Sequence, residues 1–170
     1  GRTFPAELSA FLNVYFRDKG VQLVPGAKVT GIRGTPASPV VVAHDGREYA
    51  AQRVVAGLGI APESELAERA GLPVGDGIQV DPFLCAGAPD IYAAGDVASF
   101  ANPAFAERLR FEHEDNALSM GRQAGRNMAG AREPYRHLPF FYSDLFELGY
   151  EAVGILDNRL ETYADWQEPH

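Results

Sequence analysis

The order in which hydrophobic periodicity changes along this chain constrains its fold more than any other feature. Leu8, Phe11, Leu12, Tyr15 and Phe16 fall on one stripe of a 3.6-residue repeat, which predicts an amphipathic helix over residues 5–20. Pro5 suits the first turn of that helix, Thr3 its cap, and Gly20 the position just past its end. The period then shortens. Residues 21–24, 29–32, 40–43 and 47–49 read as strands, punctuated by turns at Pro25-Gly26, at 35–39 and at Asp45-Gly46, the last a hairpin signal. Residues 53–58 read as a small-residue apolar strand and 63–70 as a short helix closed by Gly71. Two more strands are expected at 78–80 and 91–94, a helix at 112–129 bounded by Gly130, and a β pair at 140–143 and 150–156 joined near Ser143-Asp144. Helices and β segments taking turns in this way argue for an α/β or α+β fold and against a sandwich.

Composition narrows the function classes. With 46% apolar and 22% charged residues, the chain is an ordinary globular one, and its 18 glycines and 12 prolines imply many turns and close backbone approaches. No apolar run approaches the roughly 20 residues that a spanning helix needs, so no membrane span is expected. A single cysteine, Cys85, excludes a disulfide scaffold, a CxxC pair and a zinc cluster, and reads as an inert buried thiol. The net charge of −8 disfavours nucleic acid as a partner. No targeting signal can be read from the start of the sequence, so the compartment stays open, with the cytoplasm favoured.

Three segments carry chemistry. Residues 90–98 read as a short buried strand leaving through Ala94 and Gly95, which let a ligand approach the backbone, into Asp96. A carboxylate at the exit of a strand stands where ligands lie in open α/β sheets, and it accepts hydrogen bonds from hydroxyl groups. On Gly95-Asp96 alone, an Asp capping a strand-to-helix turn is the plainer account. The second segment is the start of the 112–129 helix, where free N–H groups and the helix dipole would stabilise an electron-rich group beside Glu112 and His113. First-turn acids that merely suit the dipole explain Glu112, Glu114 and Asp115 equally. Farther along, Ala117, Gly121 and Gly125 recur every four residues. An internal glycine costs a helix about 1 kcal/mol relative to alanine, so a close-packed neighbour is expected on that face. The third segment is the last β pair, in which Tyr142 is either an aromatic platform or a core residue, and Glu151 taken alone is a solvated strand residue. His44 and His137 read as surface residues. No metal-ligand spacing and no nucleophilic triad are present in the sequence.

Taken together, these strings resemble the FAD-dependent pyridine nucleotide oxidoreductases, in the branch shared by apoptosis-inducing factor and the ferredoxin reductases. Residues 90–98 are similar to the second flavin-binding motif of that family, which implies that Asp96, with Gly95 beside it, meets the ribityl chain of FAD. Residues 54–62 resemble the last strand of the NAD-binding domain, with Gly59 giving NAD(P)H close access. Residues 110–117 and 121–128 resemble the helix whose start faces the flavin ring, which implies Glu112 and His113 at that ring. Glu114 stands where apoptosis-inducing factor has a second histidine. Residues 139–144 and 149–154 resemble the opening of the C-terminal domain, with Tyr142 where relatives carry Trp and Glu151 where a glutamate approaches NAD.

The resemblance implies FAD and NAD(P)H as cofactors, hydride transfer from nicotinamide to flavin, and onward passage of electrons to an acceptor. It also implies partial Rossmann-like domains: residues 1–75 closing an NAD(P)-binding domain, 76–135 a returning FAD segment, and 136–170 the start of a C-terminal domain. Neither Gly-rich dinucleotide fingerprint is present, since Gly57-x-Gly59 and Gly75-x-Gly77 do not continue to the required third small residue. The chain is therefore expected to be the later part of a longer protein, inactive and marginally stable by itself. No cysteine pair and no His-Pro-Thr signature occur, which disfavours disulfide reduction. One alternative is a reductase serving a ferredoxin-like or rubredoxin partner, docked through Arg108, Arg110, Arg122, Arg126, Arg132 and Arg136 against the opposing acidity of residues 137–170. Another is a non-catalytic module for partner binding or homodimer formation.

Overall fold

The first helix, α1, runs over Ala6–Asp18, inside the expected window. Pro5 is itself the N-cap and no side chain caps it, so Thr3 does not play that part. Beyond Lys19, the Gly20 N–H donates to Arg17 O and the Val21 N–H to Phe16 O. This pair of bonds closes the helix through the positive φ of Gly20. The structure, a computed structural model, describes residues 3–105 and 107–165. It divides into two compact units, Gly1–Gly59 with Asp157–His170 and Ile60–Leu156.

In the first unit, β1 (Val29–Thr35), β2 (Ser38–Ala43) and β3 (Glu48–Ala50) form an antiparallel meander. Thr35 pairs with Ser38, so the first turn contracts to Pro36-Ala37. At the second turn, Asp45 accepts hydrogen bonds from the Arg47 N–H and Nε. Two expected strands do not form. Residues 21–24 and 53–58 are irregular, because a strand is defined by its neighbours and none among the described residues pairs with them. Val55 and Leu58 are 95% and 91% exposed, and no residue of α1 is buried.

The second unit holds the core. It contains α2 (Glu65–Arg69) and a four-stranded sheet of β4 (Val74–Gly75), β5 (Gly77–Gln79), β6 (Ala98–Ala101) and β7 (Arg108–Leu109) in that order. Only β5 and β6 are parallel, with Ile78 opposite Ala98. Helix α3 (Glu114–Met128) and the hairpin β8 (Phe140–Leu145) with β9 (Leu148–Val153) complete the unit. The hairpin turn falls at Phe146-Glu147, beyond the expected Ser143-Asp144, because the β8 ladder continues through Leu145. Val80, Leu84, Ala98, Phe100, Phe111, Met120 and Tyr135 form the buried cluster. Phe100 stands edge-on to Tyr135, with ring centroids 5.3 Å apart. Asn127 ties the end of α3 to this core by donating to the Phe83 and Glu133 carbonyls and accepting from the Glu133 N–H.

The strand expected at 91–94 reduces to one bridge between Cys85 and Tyr92. The regular strand comes after the carboxylate instead. Gly95, at φ +75°, turns the chain into a single 3₁₀ turn, Gly95–Val97, which feeds β6. Asp96 thus precedes a strand rather than ending one. The small-residue face of α3 is half explained: a Cβ on Gly95 would lie 3.5 Å from that of Ala117, whereas nothing described lies within 4 Å of one on Gly121 or Gly125. Among the described residues, no helix is long and apolar enough to cross a membrane, and no group of His, Cys, Asp and Glu side chains could hold a metal ion.

Candidate functional site

The N-terminus of α3 and the β8 strand enclose an open concavity of about 660 Å³. Its lining includes Glu112, His113, Leu118, Phe140, Phe141 and Tyr142. Three residues singled out in the sequence, Glu112, His113 and Tyr142, therefore share one hollow. His113 is the N-cap of α3 but makes no side-chain cap bond, which leaves the first-turn N–H groups without a side-chain acceptor there. Its ring packs 4.2 Å from that of Phe141 and 5.6 Å from that of Phe111. His113 Nδ1 is buried with no hydrogen-bond partner among the described residues. Burial lowers the His113 pKa, against the opposing pull of Asp115, Asp96 and Glu112. The imidazole is therefore neutral at pH 7 and able to donate from one nitrogen and accept at the other.

The 3₁₀ turn is held from two sides. From one side, Ala117 packs on Gly95, and the Gly95 N–H donates to Met120 Sδ at 3.3 Å. From the other comes Arg110, whose side chain is only 9% exposed. Its Nε donates to Asp76 Oδ1 at 3.0 Å, and one terminal nitrogen donates to the Asp96 carbonyl at 3.0 Å and pairs with Glu112 Oε1 at 2.8 Å. The Asp96 side chain itself is exposed, and among the described residues no hydrogen bond engages its carboxylate. It is a fixed turn presenting a free acceptor.

Asp115 secures the β8 side. Its Oδ2 accepts from His137 Nε2 at 2.5 Å and from the Phe140 N–H at 3.2 Å. Burial raises the Asp115 pKa, but these two hydrogen bonds and the nearby histidines outweigh it and hold the carboxyl below its ordinary value. His137, read as a plain surface residue, is half-buried in this clasp. Tyr142 projects outward at 65% exposure. Its cross-strand partner is Glu151, and both line a neighbouring hollow of about 460 Å³ with Asp144, Gly149 and Tyr150. Gly59 belongs to the first unit, at φ +82°, with nothing within 4 Å of a Cβ placed on it. Sequence reasoning passed over Asp115, His137 and Phe141 as site residues and gave Arg110 only a surface role. The sole advance sign was the crowding of charge at 110–115.

Comparison with known proteins identifies the family. Residues 1–121 match the pyridine nucleotide-disulphide oxidoreductase family model. Residues 124–169 match the model for the C-terminal region of mitochondrion-associated apoptosis-inducing factor. The chain belongs to the pyridine nucleotide-disulphide oxidoreductase family. It is 35% identical to monodehydroascorbate reductase 3 of Arabidopsis thaliana, over 90% of this chain and 36% of that protein. It is 33% identical to apoptosis-inducing factor 1 of Dictyostelium discoideum, over 98% of this chain and 32% of that protein. Among solved structures, the ferredoxin reductase for the CYP199A2 system from Rhodopseudomonas palustris superposes with a TM-score of 0.82 at 32% identity, covering 90% of this chain and 38% of that one. The chain thus spans about a third of the length of the relatives it matches.

Proposed function

We propose that this chain is part of a FAD-dependent NAD(P)H oxidoreductase, in which hydride passes from nicotinamide to flavin and electrons pass on to an acceptor. The observation that carries this reading is the hollow at the start of α3, where Nδ1 of His113, with no partner among the described residues, sits among aromatic walls at a helix start that its N-cap side chain does not cap. A flat, electron-rich heterocycle fits that chemistry: the rings offer stacking faces, and the helix terminus offers positive potential. The free Asp96 carboxylate suits a polyhydroxyl chain, which supplies donors only an unpaired acceptor can use.

When bound, FAD supplies the capacity to accept two electrons from a nicotinamide and release them to another molecule. The residues of this chain hold and orient. Asp96 and Gly95 receive the ribityl arm, Glu112 and His113 order the edge of the ring, and Tyr142 covers it from the β8 side. Gly59 and Glu151 are assigned to the nicotinamide nucleotide. In this reading, residues 1–75 close the NAD(P)-binding domain, 76–135 return to the FAD domain and 136–170 open the C-terminal domain. The family model that begins at residue 124 is in keeping with a change of domain in that region.

A ferredoxin-like iron–sulfur protein is the acceptor we favour. Arg122, Arg132 and Arg136 are exposed, and no described acid pairs with them. The other three arginines of the expected patch are occupied: Arg108 by the Val80 and Ser99 carbonyls, Arg110 as above, and Arg126 by Glu133. The docking patch is accordingly half the expected size. The lone thiol of Cys85 donates to the Ala88 carbonyl, and a chain with no cysteine pair suits a reducing compartment such as the cytoplasm.

Purification of the full-length protein with excess FAD tests the reading. A flavin absorbance band that survives desalting and bleaches on anaerobic addition of NADH or NADPH is the expected result. A colourless protein, or a flavin that neither nucleotide bleaches, overturns it.

A further inference from the structure

We infer that Arg110 is a positioning residue for the flavin site, acting through the turn that carries Asp96; this rests on the function proposed above. Three observations lead to it. First, the guanidinium is nearly buried yet has three separate oxygen acceptors on three segments: the Asp76 carboxylate between β4 and β5, the Asp96 carbonyl in the 3₁₀ turn, and the Glu112 carboxylate just before α3. Second, its stem runs where a side chain at position 77 would go. A Cβ on Gly77 would lie 2.9 Å from Arg110 Cδ and 2.5 Å from the Val97 carbonyl oxygen. Gly77, at φ +86°, leaves the passage through which Arg110 reaches the turn. Third, none of the three bonds engages the Asp96 carboxylate. Arg110 grips the backbone of that residue and leaves its side chain free.

A planar fork with several donors in fixed geometry can hold three acceptors at once, which a lysine ammonium on a flexible stem does not reproduce. Arg110 therefore sets the distance between the two acids assigned to the cofactor. It also offsets the charge of Glu112, so that an electron-rich ring beside this carboxylate meets less repulsion. Its effect on the ligand is indirect. It touches the residues that would touch FAD, and the carbonyl it binds is turned away from that duty.

The test measures FAD dissociation constants for the full-length apoprotein by fluorescence titration, with wild type, Arg110→Lys, Asp96→Asn and the double variant. Charge-assisted hydrogen bonds of this kind correspond to roughly ten- to hundredfold in an equilibrium constant. Arg110→Lys is expected to weaken FAD binding by about tenfold or more. The double variant is expected to lose clearly less than the product of the two single losses, because the positioning of the Asp96 carboxylate can be lost only once. Should Arg110→Lys fail to fold, Asp76→Asn removes one tether at an exposed carboxylate, and a several-fold weakening that likewise shrinks in the Asp96→Asn background is expected. Multiplicative losses in the double variant, or unchanged affinity in the single one, overturn the inference while wild-type binding stands. Wild-type protein that fails to bind FAD takes down the proposed function, and this inference with it.

Discussion

Gly77→Ala tests how tightly the sheet and the candidate site are joined. The added methyl would meet the Val97 carbonyl oxygen at 2.5 Å, its carbon at 3.2 Å and Arg110 Cδ at 2.9 Å. The first two are backbone, on the far end of the turn that carries Asp96, so rotamer change alone cannot relieve them. Placing alanine at a positive φ costs about 1–2 kcal/mol, and overpacking against fixed neighbours adds roughly 1–3 kcal/mol. A loss near 3 kcal/mol lowers the melting temperature by roughly 6–12 °C in a protein of about 150–250 residues and by proportionately less in a longer one. The assay is thermal unfolding of the full-length protein, run beside Gly46→Ala as control. Gly46 has a similar φ of +82° but open space around it, so that variant bears only the conformational cost, about 1–2 kcal/mol. FAD affinity is expected to fall several-fold in Gly77→Ala and to stay unchanged in Gly46→Ala. Equal melting temperatures for the two variants would falsify the claim that the passage under Arg110 is sterically closed.

Other outcomes follow from the same geometry. Asp115 titrates below its ordinary value when folded, so its clasp to His137 and the Phe140 N–H is fully present above the unfolded carboxyl pKa, about 4, and is lost as pH falls through the folded value. Acid unfolding followed from pH 7 downward should show that slope, and Asp115→Asn should flatten it; an unchanged profile contradicts the clasp. Tyr142→Ala removes an exposed ring and is expected to raise KM for the nicotinamide nucleotide by about two- to tenfold while Tm stays put. An unaltered KM assigns Tyr142 to packing alone. The isolated 170-residue chain exposes Val55, Leu58 and the apolar residues of α1. It is expected to bind hydrophobic dyes and unfold broadly, and a sharp monomeric transition in calorimetry refutes this.

The sequence was most legible where structure is local. Helices α1 and α3 could be read from their stripes and terminal glycines, and the meander from its turn at 35–39 and from Asp45-Gly46, since turn chemistry acts within a few residues. It was least legible where an element depends on its neighbours. Residues 53–58 have strand composition, but a buried strand of that kind needs partners on both sides. Residues 91–94 find only one bridge partner, Cys85 opposite Tyr92, and the regular ladder begins past Asp96 at Ala98. At the site, the acids and rings at 112–113 and 142 could be picked out as ordered strings. The partners that fix them could not, because Arg110 reaches back to Asp76 and Asp115 forward to His137 across 34 and 22 residues. The arginine patch was legible only in part: Arg122, Arg132 and Arg136 stay exposed, whereas Arg108 and Arg110 reach carbonyls and Arg126 pairs with Glu133, and a run of like residues does not say which of them find partners.

The most direct measurement is a crystal structure of the full-length protein loaded with FAD. The account expects a ribityl hydroxyl within hydrogen-bonding distance of an Asp96 carboxylate oxygen, the ring edge over the start of α3 near Glu112 and His113, and Arg110 still bound to the Asp96 carbonyl. A flavin lodged elsewhere, with the Asp96 carboxylate facing only water, contradicts it.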